Sequence, residues 1–312
     1  MERVAIVVVT FNSGSEIGAC LDALQAAPGD AEIVVVDNAS SDNTREEVAG
    51  RSIRLIANQT NAGFATAVNQ GVRATTAPLI LSLNPDARLV RGLEAMADCL
   101  RQPGAGAAGG MLIGDDGYPQ TGFMARNLPS PAALVLEVMG INRLWPRNPV
   151  NWHYRCLGLD RMKMTLVDQP AGAFLMFSRM AWETVGGFDE RFWPIWFEDV
   201  DFCARLKSAG FRIYYHPGGV AKHSGSHSTG ALVLEKRERY WYGSLLEYAA
   251  KHYRSAAFRT TCVAVAVSAV LRAVAGFPRY KFKALAVYGG IVSLALSRAF
   301  HHRGVQGQVF SG

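Results

Sequence analysis

At 312 residues, with 49% hydrophobic and 19% charged side chains, the chain can bury one large core with an appendage, and it is too apolar for a disordered protein. Its five cysteines, at positions 20, 99, 156, 203 and 262, never fall in a C-x-x-C spacing, which argues against a disulfide framework or a zinc site and for a reducing, cytoplasmic setting. The formal charge of +6 is uneven: residues 230–312 hold 12 Lys and Arg against 3 Asp and Glu, while residues 1–229 hold 20 against 23, so the basic character belongs to the tail.

The β-branched run at 4–9 is too short for the core and cleavage site of a signal peptide and reads as a first strand, ended by the turn and cap residues Thr10, Phe11, Asn12 and Ser13. Ile17, Cys20, Leu21 and Leu24 fall at i, i+3, i+4 and i+7, the stripe of a helix packed on a sheet. A second strand at 32–36 runs into Asp37-Asn38-Ala39-Ser40, and two βα units in succession argue for right-handed parallel winding. A third strand at 54–57 leads to Asn61-Ala62-Gly63-Phe64-Ala65, after which Phe64, Ala67, Val68, Gly71 and Val72 mark a second helical face.

Residues 79–86, Leu-Ile-Leu-Ser-Leu-Asn-Pro-Asp, suit a central strand buried on both faces and stopped by Pro85, which has no N–H for the ladder. Asp86 is thereby delivered to the carboxyl edge of the sheet. Ligands bind at that edge in open parallel sheets, and a carboxylate there suits Mg²⁺ or Mn²⁺ bridging phosphates; Asn-Pro-Asp is equally ordinary turn chemistry.

Four strand ends thus converge on one rim. A nucleotide needs polar partners for base and ribose, a flat apolar surface, and a metal carboxylate for the diphosphate, and the rim offers Asp37 and Asn38, Phe11, and Asp86. No P-loop is present, so phosphates would rely on metal. Taken singly, each turn also reads as a helix cap, and Phe11 as core.

Leu93, Met96, Ala97 and Leu100 mark a further helix, followed by a glycine-rich strand at 107–113 and a hairpin turn at Asp115-Asp116-Gly117. From 119 to 170 the pattern weakens into a loop-rich stretch with prolines at 129, 131, 146 and 149. Its aromatics Trp145, Trp152 and Tyr154 can face a sugar or lipid acceptor, or simply pack. A buried strand at 172–178 precedes Gly186-Gly187-Phe188-Asp189-Glu190. Next, Trp196-Phe197-Glu198-Asp199-Val200-Asp201 opens a helix with Val200, Cys203, Ala204 and Lys207 on one side. Acids at a helix start complement its dipole as caps; one of them beside an aromatic wall can also act as general base towards a hydroxyl. A last strand at 212–216 is followed by Lys222-His223-Ser224-Gly225-Ser226-His227-Ser228. A histidine reaching Asp86 would complete an imidazole and carboxylate metal site, with His227 and Ser228 towards phosphate, or these are plain surface residues.

Six ordered motifs, at 10–12, 37–40, 61–65, 84–86, 186–190 and 198–201, together resemble the inverting nucleotide-sugar transferases of glycosyltransferase family 2. The likeness is strongest to bacterial rhamnosyltransferases of cell-wall linker and O-antigen synthesis, through Asn-Pro-Asp, Glu-Asp-Val-Asp and His-Ser-Thr-Gly at 227–230. The resemblance implies an α/β fold of the GT-A type, a Rossmann-like nucleotide-sugar-binding fold with a mostly parallel central sheet over residues 1–229, and a C-terminal helical tail at 230–312. It also implies that Thr10, Phe11, Asn12, Asp37, Asn38, Asn61, Gly63 and Asn84 bind the nucleotide, with Gly172, Trp196 and Glu198 beside the donor and acceptor sugars. Asp86 and His223 would hold a divalent cation, Mg²⁺ or Mn²⁺, and Asp199 would be the catalytic base. The donor so implied is a dTDP- or UDP-sugar, best dTDP-rhamnose, and the acceptor a lipid-linked saccharide. Asn84 departs from the pattern by standing where many members carry a first Asp, which leaves fewer acidic oxygens for the ion.

Two other classes share parts of this pattern. A nucleotidyltransferase would need a glycine-rich, lysine-containing loop after the first strand, which this chain lacks, whereas a nucleotide-sugar sensor without transfer activity is compatible with Asn84. In the tail, uncharged runs of 12 residues between Arg259 and Arg272 and 14 between Lys283 and Arg298 fall short of the ~18–20 needed to cross a bilayer. Arg279, Lys281 and Lys283 alternate with Phe277, Tyr280 and Phe282. This predicts amphipathic helices lying on the anionic cytoplasmic face of a membrane, or else a helical pair packed on its own domain or on a second subunit as a homodimer. Nucleic acid is not the expected partner, because long apolar runs interrupt the basic residues.

Overall fold

The computed structural model describes residues 3–225 and 232–301. In chain order the elements are β1 (Val4–Thr10), α1 (Gly14–Ala26), β2 (Glu32–Asp37), α2 (Thr44–Val48), β3 (Arg54–Ala57), α3 (Phe64–Arg73), β4 (Leu79–Leu83), β5 (Ala87–Arg91), α4 (Leu93–Leu100) and β6 (Ala105–Ile113). Then follow β7 (Ala125–Arg126), α5 (Pro131–Val138), α6 (Ile141–Leu144), α7 (Pro149–Tyr154), β8 (Thr165–Leu166), β9 (Gln169–Pro170), β10 (Phe174–Ser178), α8 (Arg179–Val185), α9 (Glu198–Ser208) and β11 (Arg212–His223). Three long helices close the chain: α10 (Leu234–His252), α11 (Ser255–Tyr280) and α12 (Phe282–His301).

Two compact units emerge. The first holds the chain up to Leu128 together with His153–Leu232, and is an α/β sheet in the order β3-β2-β1-β4-β10-β6-β11-β5. All seven residues of β1 and all five of β4 are buried, as expected of strands covered on both faces. β3, β2, β1 and β4 run parallel, with Thr10 opposite Asp37 and Asp37 opposite Ala57, so their carboxyl ends share one rim. Beyond β4 the sheet becomes mixed: β10 lies antiparallel between β4 and β6, and β5 pairs antiparallel with the end of β11.

Three local readings change. The last strand does not stop at His216 but continues to His223, because the register with β6 slips between Tyr215 and Val220 and that bulge absorbs the missing N–H of Pro217. His223 is therefore held in a sheet, opposite Ala87. On α9 the buried face is Val200, Phe202, Cys203, Ala204 and Leu206. Lys207 is exposed and pairs with Asp168, since an unpaired ammonium has no place in that apolar layer. The Gly186–Glu190 motif anchors the fold: Asn69 of α3 accepts from Phe188 N at 2.9 Å and donates to Phe188 O at 2.8 Å and to Glu190 Oε1 at 3.0 Å.

The second unit joins α10, α11 and α12 to Pro129–Trp152, a segment expected to belong with the catalytic domain. The reason lies in α5, whose apolar sequence is capped by Ser130 Oγ accepting from Ala133 N. The helix packs on α11, with Ser268 donating to Val138 O, and Tyr253 donates to Pro129 O at 2.6 Å. The tail helices are longer than the uncharged runs that seeded them. Arg259 and Arg272 do not end α11, and Arg272 folds back on Ser268 with Nε 3.3 Å from its hydroxyl. At 26 residues α11 measures roughly 39 Å, and both α11 and α12 are long and apolar enough to cross a membrane by length and composition.

Candidate functional site

The rim formed by β1, β2 and the loop before α3 is built around Asp37, which is fully buried. Its carboxylate accepts from Thr10 Oγ1 at 3.0 Å, from Ser40 N at 3.1 Å, from the Ser40 hydroxyl and from Arg45 Nε at 2.6 Å. Four donors fill the positions a carboxylate offers, so Asp37 shapes the rim, and a ligand must displace one of them to reach it. Asn38 donates to Gly63 O at 3.2 Å and accepts from Asn58 at 2.9 Å, while Asn61 Oδ1 accepts from Gly63 N at 2.9 Å. Gly63 has φ +87°, and a Cβ there would sit 2.8 Å from the Trp193 ring, so no side chain fits between this loop and the Trp193-Pro194 segment. Asn12 is exposed and accepts from Ser41 N at 2.8 Å, and Phe11 is half-buried beside it.

Strain concentrates here. Asn12, Ala39, Trp196 and Phe197 all take positive φ, at 51°, 62°, 79° and 68°. Non-glycine residues adopt that conformation rarely, and Trp196 and Phe197 do so in succession immediately before α9. This kink sets the entry to Glu198 and Asp199, with Trp196 half-buried at the turn.

Asp86 and His223 meet. Pro85 ends β4, Asp86 leads into β5, and β5 pairs with the end of β11, which brings Asp86 Oδ1 to 3.5 Å from His223 Nε2. Asp86 is 9% exposed, and its Oδ1 has no hydrogen-bond partner among the described residues. Burial pulls the His223 imidazole below its ordinary range, partly offset by the Asp86 and Asp115 charges, so the ring favours its neutral, ligating form. An orphaned carboxylate oxygen beside a neutral imidazole fits a hard or borderline divalent cation. Among the described residues no cluster of three or more such side chains occurs, so the remaining coordination would come from the substrate and water.

Asp199 lies in the first turn of α9. Gly172 N and Gln169 Nε2 both donate to Asp199 Oδ2 at 2.9 Å, and Val200 N donates to Oδ1 at 2.8 Å. A Cβ on Gly172 would lie 3.0 Å from that carboxylate, so glycine permits the approach. The neighbouring Ala173 accepts from Asn84 N at 3.0 Å, which ties the Asp199 cradle to the loop carrying Asp86. Burial raises the Asp199 carboxyl above its ordinary range, opposed by the two backbone N–H groups and the Arg126 charge. Glu198 is buried with Oε2 unpartnered among the described residues. Burial and then the Asp199 charge push its carboxyl well above the ordinary glutamate range.

Sequence reading missed Arg45 and Trp193, which lie close in sequence to Asp37 and Trp196 but carry no motif of their own, and Gln120, Phe123 and Gln169, which reach the site from distant parts of the chain. His227 and Ser228 lie outside the described residues.

The glycosyl transferase family 2 profile matches residues 5–185, and the related family group 2 profile matches residues 147–297. The chain is 32% identical over 243 residues to the N-acetylglucosaminyl-diphospho-decaprenol L-rhamnosyltransferase of Mycobacterium tuberculosis, covering 72% of this chain and 77% of that protein. Among solved structures it is similar to the mannosyltransferase PcManGT of Pyrobaculum calidifontis in complex with GDP-Man and Mn²⁺, with a TM-score of 0.53 at 17% identity over 97% of this chain and 88% of that one. It is also similar to GalNAc-T7 with UDP, GalNAc and Mn²⁺, with a TM-score of 0.55 at 14% identity over 80% and 50% of the two chains.

Proposed function

The chain belongs to glycosyltransferase family 2 and is related to rhamnosyltransferases, and from this we propose an inverting enzyme that moves L-rhamnose from dTDP-rhamnose to a hydroxyl of a lipid-linked saccharide. The observation that carries the reading is the Asp199 carboxylate, cradled by Gly172 N and Gln169 and linked through Ala173 and Asn84 to the loop that carries Asp86. Asp199 takes the proton of the acceptor hydroxyl. The oxygen forms its bond to the anomeric carbon from the face opposite the nucleotide, and the bond from that carbon to the diphosphate breaks with its electron pair on the leaving oxygen. Configuration inverts. Asp86 and His223 would hold Mg²⁺ or Mn²⁺, which when bound supplies positive charge to the departing diphosphate. Glu198, whose Oε2 is unpartnered among the described residues, offers a hydrogen bond to a sugar oxygen, with Gly172 against Asp199 and Trp196 at the turn before α9. Thr10, Asn12, Asn38, Asn61, Gly63 and Asn84 present the polar edge for the nucleotide, and Phe11 its apolar face.

The test is transfer from a panel of dTDP- and UDP-sugars to a short-chain polyprenyl diphosphate saccharide with Mn²⁺, with the product's anomeric configuration read by NMR. Rhamnose transfer with inversion is expected. Donor binding without transfer or hydrolysis would leave a sensor, and retention would remove the single-displacement mechanism.

A lipid-linked acceptor also gives the second unit a role. Val263, Val267, Val270, Leu271, Val274 and Phe277 are all exposed along α11, and Arg279, Lys281 and Lys283 cluster at its end with Tyr280 and Phe282. An apolar stripe ending in basic and aromatic residues suits an anionic membrane surface. The five cysteines are all unpaired, in keeping with the reducing, cytoplasmic side. Full-length protein should float with phosphatidylserine vesicles, and the triple change of Arg279, Lys281 and Lys283 to Glu should abolish this. Equal flotation of wild type and variant would remove the basic cluster from the contact, and a stable dimer with no flotation would assign the stripe to a second copy.

A further inference from the structure

His223 is gripped from a part of the chain far from it in sequence. Gln120 Nε2 donates to the His223 carbonyl oxygen at 2.9 Å, and Gln120 Oε1 lies 2.9 Å from His223 Nδ1. A carbonyl oxygen only accepts, so the amide nitrogen is fixed on its side, and the amide oxygen is the atom that faces the ring. That oxygen carries no hydrogen, so Nδ1 supplies the one in the bond. In the neutral ring the lone pair then belongs to Nε2, the nitrogen 3.5 Å from Asp86 Oδ1. Asp86 Oδ1 itself finds no hydrogen-bond donor among the described residues. Two lone pairs therefore face one gap with no hydrogen between them.

The ring is held in plane as well. Phe123 stacks on His223 with ring centres 5.3 Å apart and planes 4° from parallel, and the Arg126 guanidinium lies 5.5 Å over the other ring. On the opposite side, Ser224 N and Oγ each donate to Asp86 O at 3.2 Å, fixing the backbone that carries the carboxylate. Both partners of the gap are thus pre-oriented.

We propose that Gln120 is a positioning residue that locks His223 in its Nδ1–H tautomer, so that Nε2 and Asp86 Oδ1 present converging lone pairs to one divalent cation. The inference rests on the reading of Asp86 and His223 as cation ligands and adds the residue that prepares them. A hydrogen bond to the far nitrogen of a ligating imidazole fixes the ring and raises its basicity, and its loss typically costs about 10–100-fold in metal affinity.

The experiment uses full-length protein and Mn²⁺ alone, with free Mn²⁺ followed by electron paramagnetic resonance and His223 by ¹⁵N NMR of histidine-labelled, metal-free protein. Wild type should show the Nδ1–H tautomer. Gln120→Leu should mix the two tautomers and weaken Mn²⁺ binding about tenfold or more. An Nε2–H tautomer or a doubly protonated ring in wild type would overturn the proposal, and that reading stands even if Gln120→Leu does not fold. So would a folded Gln120→Leu with unchanged tautomer and Mn²⁺ affinity. Unchanged Mn²⁺ binding in Asp86→Ala would instead remove the cation reading beneath it, so the two failures are separable.

Discussion

Asp199→Asn should bind donor as tightly as wild type and turn over about 10²–10⁴-fold more slowly. The amide has the size of the carboxylate and can keep an oxygen towards Gly172 N and Gln169 Nε2, the two donors at 2.9 Å, giving up only the bond from Val200 N. Loss of one such bond costs about 1–3 kcal/mol, too little to unfold a domain of this size by itself. What disappears is the proton acceptor, which matters in the transition state and not in the ground state, so kcat and kcat/KM fall together. The pH profile gives an independent reading. Burial holds the Asp199 carboxyl above the ordinary aspartate range, and the base acts only when ionised. Activity should therefore fall as pH drops through that raised value, placing the acid limb at a higher pH than an exposed aspartate would, and the residual activity of Asp199→Asn should lack the limb. A folded, donor-binding variant with near-normal transfer would take the proton from Asp199.

The parts of this site legible in the sequence are those that lie within one strand and its turn. An apolar run ending in polar residues states both the strand and the edge it feeds, and four such runs in parallel bring the ends that lead to Thr10, Asp37, Asn61 and Asp86 to one rim. Register across non-local pairs is different. That Asp86 meets His223 depends on a bulge after Tyr215 that keeps β11 in the sheet past Pro217, and Pro-Gly-Gly reads locally as a strand end. Gln120 and Phe123 sit in a stretch with no period, and only the folded chain brings them against a histidine 103 and 100 positions away. The Gly186–Glu190 motif shows the converse. It is conspicuous in sequence, yet its backbone serves to satisfy the buried amide of Asn69. In the tail, counting charges marks only where the apolar runs are interrupted, whereas the Arg272 side chain folds back on Ser268 and the helix continues.

Asp86→Ala should weaken the Mn²⁺-dependent part of nucleoside diphosphate binding by on the order of 10²-fold, about 2.7 kcal/mol, while leaving binding in EDTA unchanged. The effect is large because the nearest other carboxylate acting on His223, that of Asp115, is paired with Lys222. Asn84 offers only a neutral amide oxygen, and His223 favours its neutral form. The same change should not destabilise the metal-free fold. Asp86 Oδ1 is buried without a hydrogen-bond donor among the described residues, so the native state already carries an uncompensated polar atom that alanine removes. A melting temperature in EDTA equal to or above that of wild type, together with lost stabilisation by Mn²⁺ and nucleotide, is the expected pair of results. Each half excludes a different alternative. A variant that melts early would make Asp86 a structural turn residue, and one that keeps its Mn²⁺ response would move the cation elsewhere. Only a carboxylate that stays unpaired at a cost to stability, waiting for an ion, yields both.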